Sequence, residues 1–260
     1  MFDMAKLGKL NSMTKYPSIP TYHKMDRGRL LEEREVIFDD GEKVYVSEKI
    51  DGTNGRAILL RDGLDYFIGT REEIVYARGD RVINPEMGIA PNLVPILEKL
   101  LEPNAPAHGS AVLVVLYGEV YGRDIGPGKN YGGQYGFRLF DIASFDRSTY
   151  NDLMMRSRDR ISMWRQHGGT PFVNAELFRS VAEAVGLLTV PHIMEVNGGM
   201  LPTSLGDTYS WLKGILPDSR AKTDDLGSGK PEGVILRNQS RTKIAKVRFE
   251  DYEKTFRSRK

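Results

Sequence analysis

The stretch Glu48-Lys49-Ile50-Asp51-Gly52-Thr53-Asn54-Gly55-Arg56 decides the reading of this chain. A strand-like run, Val44 to Ser47, leads into Lys49, and a glycine-containing turn follows at once. That order leaves an amine at the lip of a sheet. The turn exposes backbone N–H groups beside the side chains of Asn54 and Arg56, a set that suits a phosphate. A lysine becomes a nucleophile only when part of it is neutral, and desolvation or nearby positive charge supplies that fraction. Taken alone, the segment is equally a surface lysine beside a plain β-turn.

Outward from this turn, Arg56 to Leu60 and Tyr66 to Thr70 read as strands joined by a hairpin turn at Asp62-Gly63. Asn92 to Leu101 has a helical pattern stopped by Pro103. Ala111 to Tyr121 is long, apolar and β-branched, which predicts a buried central strand. Gly122 to Gly136 holds six of the 27 glycines and reads as a loop, and Phe137 to Ile142 as another strand. Asp152 to His167 and Ala175 to Val185 predict amphipathic helices, the second capped by Asn174, and Ser204 to Lys213 predicts a third. Gly233 to Arg237 and Lys243 to Arg248 predict two closing strands, with a short helix over Glu250 to Arg257. Before the key turn, residues 1–30 are polar and broken by Pro17 and Pro20, so an irregular arm is expected. Leu30 to Phe38 predicts a short helix ended at Asp39-Asp40-Gly41. Hairpins first, helices inserted later and strands at the end make an α+β pattern. One domain over 1–260 is expected, with 249–260 as a short C-terminal tail.

The 260 residues can bury a sizeable core without staples. There is no cysteine, which excludes disulfides, thiolate zinc sites and cysteine nucleophiles and fits a reducing cytoplasm. None of the histidines (23, 108, 167, 192) has metal-ligand spacing, so they read as structural or surface residues. The net charge is only +2, so any basic surface must come from local clusters: Arg156 to Arg160, and Arg237, Arg241, Lys243, Lys246 and Arg248. No apolar run is long enough to span a bilayer, and Met1 to Leu10 lacks the apolar core of a secretory signal. A cytoplasmic location and no membrane partner are expected.

The key segment resembles motif I of the covalent nucleotidyltransferase superfamily of DNA ligases, RNA ligases and capping guanylyltransferases. Further segments resemble the other motifs, in order. Thr70-Arg71 stands at motif Ia, Tyr117 to Gly122 (Tyr-Gly-Glu-Val-Tyr-Gly) at motif III, and Phe137 to Ile142 (Phe-Arg-Leu-Phe-Asp-Ile) at motif IIIa. Pro231 to Arg237 (Pro-Glu-Gly-Val-Ile-Leu-Arg) looks like motif IV, and Ile244 to Arg248 (Ile-Ala-Lys-Val-Arg) like motif V. The order makes the set far more specific than any member. Asn54, five residues after the lysine, and the leader Tyr16-Pro17-Ser18-Ile19-Pro20 resemble ATP-dependent RNA ligases of the RNA ligase 2 type. Two departures stand out: Asp51 is shared with DNA ligases, and Arg248 replaces the usual lysine of motif V. Arginine keeps the charge but cannot act as a general acid.

The resemblance implies an adenylyltransferase (ATP-grasp-like) nucleotidyltransferase domain, built on antiparallel sheets with inserted helices. About a dozen residues follow Arg248, so no C-terminal OB-fold is expected unless a partner provides one. It also implies that Lys49 takes AMP from ATP as a phosphoramidate. Lys246 and Arg248 would bind the α-phosphate and depress the pKa of Lys49. Glu119 would accept from the ribose hydroxyls, and Phe140 would stack on the base. Glu232, with Glu119, would bind Mg²⁺ or Mn²⁺. Glu48 would touch the base edge, Asn54 and Arg71 would hold phosphate or the acceptor end, and Arg56 is a weaker candidate for that work. The partners implied are RNA 5′-phosphate and 3′-hydroxyl ends, including RNA/DNA duplex nicks. The sequence names no protein partner. An ATP-dependent DNA ligase, a capping-type guanylyltransferase and a non-catalytic RNA-end-binding module remain as alternatives.

Overall fold

The computed structural model describes residues 2–61, 64–83, 89–101 and 110–258. The expected turn at Asp62-Gly63, the helix stop at Pro103, His108 and residues 259–260 lie outside them. The segment 1–30 is not an irregular arm. It carries helix α1 (Leu7–Thr14) and strand β1 (His23–Asp26), which pairs with β2 (Arg29–Arg34). The expected helix over Leu30 to Phe38 is therefore a strand. Of β2 only Leu30 is buried, too little to anchor a helical face, and pairing with β1 decides the conformation.

A four-stranded antiparallel sheet has the order β10 (His192–Asn197), β3 (Lys43–Lys49), β11 (Gly233–Asn238), β12 (Ile244–Arg248). A six-stranded sheet runs β7 (Val82–Ile83), β6 (Ile74–Ala77), β5 (Asp65–Gly69), β4 (Thr53–Leu60), β8 (Leu113–Tyr121), β9 (Gly136–Phe145), also antiparallel throughout. Chain reversal between β3 and β4 takes only residues 50–52, so the quoted turn is the joint between the two sheets.

Period-two alternation builds the cores. In the large sheet Ala57, Leu59, Ile68, Val114 and Leu116 face α2 (Ile89–Leu100) and α5 (Ala175–Ala184). Ile58, Phe67, Leu113, Val115 and Tyr117 face α1, α3 (Arg147–Met155) and α4 (Arg158–Gln166). A sheet covered on both faces reads as a continuous apolar run, which is why Ala111 to Tyr121 does not alternate. In the small sheet Val44, Val46, Val234, Leu236, Ala245 and Val247 pack on α6 (Leu205–Ile215) and α7 (Phe249–Arg257). Each such side chain contributes about 1.5–3 kcal/mol of burial. The other face of the small sheet is left for function.

Asn174 does cap α5, accepting from Leu177 N at 2.8 Å. The single helix expected over 152–167 is two, because Arg156 is extended and Ser157 starts α4 by accepting from Arg160 N at 3.4 Å. The outer edge of β12 is covered by the N-terminal segment, where Lys246 N donates to Pro20 O at 2.9 Å and Tyr22 N to Lys246 O at 3.0 Å. Among the described residues no helix is long and apolar enough to cross a membrane.

Candidate active site

Lys49 ends β3 where the chain crosses between sheets. Its Nζ donates to Glu232 Oε2 at 2.5 Å, with the two side chains 26% and 14% exposed. Register explains the meeting: Gly233 is opposite Lys49, so the residue just before β11 arrives at the amine. Gly52 N donates to Glu119 Oε1 at 3.1 Å, and Asp51 N to Tyr131 Oη at 2.7 Å. A Cβ on Gly52 would stand 2.3 Å from the Val120 carbonyl oxygen, so the turn needs glycine to lie this close to β8.

Lys49, Asp51, Gly52 and Glu119 open on a cavity of about 400 Å³ between the sheets, which Glu232 meets through its contact with Lys49. Its walls include Tyr16, Pro17 and Ile19 of the N-terminal segment, Ser47 and Lys49 of β3, Asn54, Glu119 and Phe140 of the large sheet, and Ile235, Arg237 and Lys246. Arg71 also lines it, with Nη2 donating to Ser18 Oγ at 3.4 Å. Asn54 lines the cavity, and its Oδ1 is buried without a hydrogen-bond partner among the described residues.

Burial pushes the Glu119 carboxyl up to about 8, with Lys49 opposing the rise and Glu232 adding to it. The Glu232 carboxyl is also raised by burial, against the pull of Lys49. Burial pushes the Lys246 amine down, and Arg248 and Lys49 push it the same way. The carboxyls of Glu119 and Glu232 and the amine of Lys246 are thus all shifted towards their neutral forms around Lys49.

Three expectations need correcting. Arg56 is fully buried away from the cavity. It donates to Thr70 O (2.6 Å), Asn11 O and Oδ1 (3.2 and 2.8 Å) and Thr14 Oγ1 (2.9 Å), and so ties α1 to the large sheet. In β4 the residues facing the cavity stop at Asn54. Glu48 does line the cavity, but its carboxylate already accepts from Ser219 Oγ at 2.5 Å and Arg220 N at 2.8 Å, which narrows the expected base contact. Adjacent strand residues point to opposite faces, so sharing the Lys49 face falls to Ser47 instead. Arg248 forks onto Asp251 at 2.7 and 2.8 Å and is not part of the cavity wall. The basic cluster is largely neutralised in the same way. Arg237 and Arg241 meet Asp141, Lys243 meets Asp39 and Glu42, and only Lys246 of the five makes no ion pair among the described residues.

Sequence reasoning missed the Asp141 hub. Its buried carboxylate accepts from Tyr16 Oη at 2.9 Å and Arg241 Nε at 2.7 Å, and Arg241 Nη2 donates to Tyr16 Oη at 2.6 Å. Tyr16 and Asp141 stood in quoted segments, but nothing in their spacing announces the contact.

The model of the RNA ligase family matches residues 42–249. The chain belongs to the RNA ligase family. Membership fits the geometry, since the matched span holds the lysine, both carboxylates and the aromatic of the cavity. No curated protein matches the chain. Among solved structures, this RNA ligase family chain is similar to a mutant Naegleria gruberi RNA ligase with ATP and Mn. The identity is 16% and the TM-score 0.55, over 94% of this chain and 62% of that one. A second Naegleria gruberi mutant, with AMP and Mn, gives 15% and 0.53, over 92% and 63%. An archaeal ATP-dependent RNA ligase gives 19% and 0.51, over 92% and 49%. These likenesses bear out the α+β nucleotidyltransferase fold. The chain spans about three fifths of the Naegleria chains and half of the archaeal one.

A nucleotide and a divalent cation fit the family site. The cavity offers an aromatic face at Phe140, a cation at Lys246 with no ion pair among the described residues, and the Asn54 side chain in its wall. Among the described residues no group of three or more His, Cys, Asp or Glu side chains could cage a metal. Glu119 and Glu232 suit the mode of Mg²⁺, which takes one or two carboxylates and completes its shell with water and phosphate.

Proposed function

We propose that this chain is an ATP-dependent RNA ligase, joining 5′-phosphate and 3′-hydroxyl RNA ends through a lysyl-AMP intermediate. The carrying observation is the Lys49 amine held 2.5 Å from Glu232 in a cavity shared with Glu119, Phe140 and Lys246. The described residues act as a single nucleotidyltransferase domain, because both sheets contribute to that one cavity.

In the first step Lys49 Nζ attacks the α-phosphorus of ATP. The ammonium first gives one proton to the Glu232 carboxylate it already touches, which frees the lone pair; the N–P bond then forms, the bond to the pyrophosphate oxygen breaks, and the second amine proton leaves to solvent. A carboxyl raised by burial is the better base for that transfer. Lys246 balances charge on the α-phosphate oxygens, where an aligned cation in a water-poor site counts most. Phe140 supplies a face for the base, and Asn54 and Arg71 stand at the phosphate side. Glu119 and Glu232 would hold a Mg²⁺ or Mn²⁺, which would supply charge neutralisation for the leaving group.

In the second step a 5′-phosphate oxygen of RNA takes the AMP and the P–N bond breaks. In the third a 3′-hydroxyl attacks the 5′-phosphorus, AMP leaves and the strand is sealed. The three displacements depend mainly on positioning and charge.

Incubation with α-labelled ATP and Mg²⁺ or Mn²⁺, followed by a denaturing gel, tests the first step. Label stable to alkali, released by acid and lost in Lys49→Ala is expected. Joining of RNA strands against matched DNA strands tests the substrate. No label under any metal, with ATP or GTP, overturns the reading.

A further inference from the structure

The small sheet's cavity face ends in an arginine whose donors are unspent. Arg237 is 7% exposed. Its Nη1 donates to the Phe140 carbonyl at 3.4 Å and lies 3.6 Å from Asp141 Oδ1. Nε and Nη2 are buried and have no hydrogen-bond partner. The Phe178 ring, 5.4 Å from the guanidinium carbon, offers only its π face. Asp141 is already engaged by Tyr16 and Arg241, so one carboxylate serves two guanidiniums. Buried donors without acceptors are rare in folded proteins and point to a missing partner.

Register says where that partner comes from. Across β3 and β11, Gly233 is opposite Lys49, Ile235 opposite Ser47 and Arg237 opposite Tyr45. Alternation puts Ser47, Ile235 and Arg237 on the cavity face, and four strand residues separate Arg237 from the amine by roughly 13 Å. A nucleotide with its α-phosphorus at Lys49 and its base on Phe140 carries the far edge of the base towards Arg237. There the wall is not closed. A smaller chamber shares Ser47, Phe140, Val190 and Arg237 with the nucleotide cavity and continues to Thr189 and His192.

We propose that Arg237 is a specificity-determining residue that donates to the N1 or N7 edge of the nucleotide's base, with the Ser47 hydroxyl beside it. A guanidinium has donors and no acceptor, so it selects an edge that presents a ring nitrogen with a lone pair. The Ser47 hydroxyl can take a hydrogen bond from a neighbouring exocyclic amine. Adenine offers that pairing. The inference rests on the adenylylation reading above and adds the group that chooses the base.

Self-adenylylation with ATP, 1-deaza-ATP and 7-deaza-ATP tests it, in the wild-type chain and in Arg237→Met. Each analogue replaces one ring nitrogen by C–H. The wild type should show a KM at least ten-fold higher for one analogue, and Arg237→Met should treat that analogue and ATP alike. Equal use of all three nucleotides by the wild type overturns the proposal, whatever the variant does. So does wild-type discrimination that persists in Arg237→Met. Arg237→Ala, which leaves Asp141 to Arg241, serves if the Met variant fails to fold; undiminished discrimination in it is equally fatal. Failure of the ligase reading looks different, because then ATP itself leaves no label on Lys49.

Discussion

Glu48 and Lys49 are neighbours in β3, yet the strand sends the Lys49 amine to Glu232 and the Glu48 carboxylate to Ser219 and Arg220. One residue faces the cavity and the other anchors the segment leading to Glu232. Removing the Glu48 carboxylate leaves the Arg220 N–H and the Ser219 hydroxyl short of an acceptor. Glu48→Ala should cost about 1–3 kcal/mol of stability. Denaturant unfolding measures this, and a variant as stable as the wild type would show that the 219–220 contacts carry no weight.

Arg56 gives a second prediction, opposite to the one its place in the motif suggests. Its guanidinium satisfies four acceptors on α1 and the β5–β6 connection while fully buried. Arg56→Met should lose about 2–4 kcal/mol of stability, because those acceptors are left buried and unmet. The folded fraction should take up AMP with a KM near that of the wild type. A KM raised ten-fold in correctly folded protein would return Arg56 to phosphate binding.

Glu119 makes stability depend on pH. Its folded carboxyl is pushed up to about 8, above the ordinary glutamate value of 4.5. Between those values the folded chain holds a proton that the unfolded chain releases, so this group's contribution falls as pH rises. Glu119→Gln removes that slope. Relative to the wild type it should gain about 1–3 kcal/mol between pH 5 and pH 8.5 in the nucleotide-free state. Thermal unfolding across that range decides it, and parallel curves would refute the raised carboxyl.

Lys246 and Arg248 should separate. Lys246 lines the cavity without an ion pair among the described residues, whereas Arg248 is held by Asp251. Lys246→Met should slow adenylylation by roughly 10²–10³, the scale of losing one transition-state charge partner. Arg248→Lys gives up the fork onto Asp251 and should chiefly loosen the start of α7. Similar kinetic losses in both variants would show that Arg248 swings in during the reaction.

Much of this was legible in the chain. The strand-turn-strand around Lys49 and the alternation in β11 and β12 follow from spacing alone. The order of weak motifs pointed to the right family. What escaped was pairing over long distances. Whether Arg56 turns outwards or inwards depends on α1, a helix with little amphipathic signal of its own, supplying Asn11 and Thr14 beneath it. Arg248 looks like a phosphate ligand until Asp251, three residues on, takes both its nitrogens. The Asp141 hub joins residues from three distant stretches, and no local periodicity encodes that. Leu30 to Arg34 differs for the opposite reason, since its partner β1 lies just across the Arg27-Gly28 turn and that local hairpin decides its conformation.

The backbone pairing of Pro20 and Tyr22 with Lys246 has a consequence for how the protein is made. Those two segments leave the ribosome more than two hundred residues apart, so the wall carrying Tyr16 and Lys246 cannot close until residue 246 has emerged. Translation of this length takes many seconds at ordinary rates, during which the large sheet can settle first. A stalled or prematurely released product would therefore be a partly folded scaffold without catalytic competence. For the adenylylation proposed above this is a built-in safeguard, because an unfinished copy lacks the Lys246 wall of the cavity.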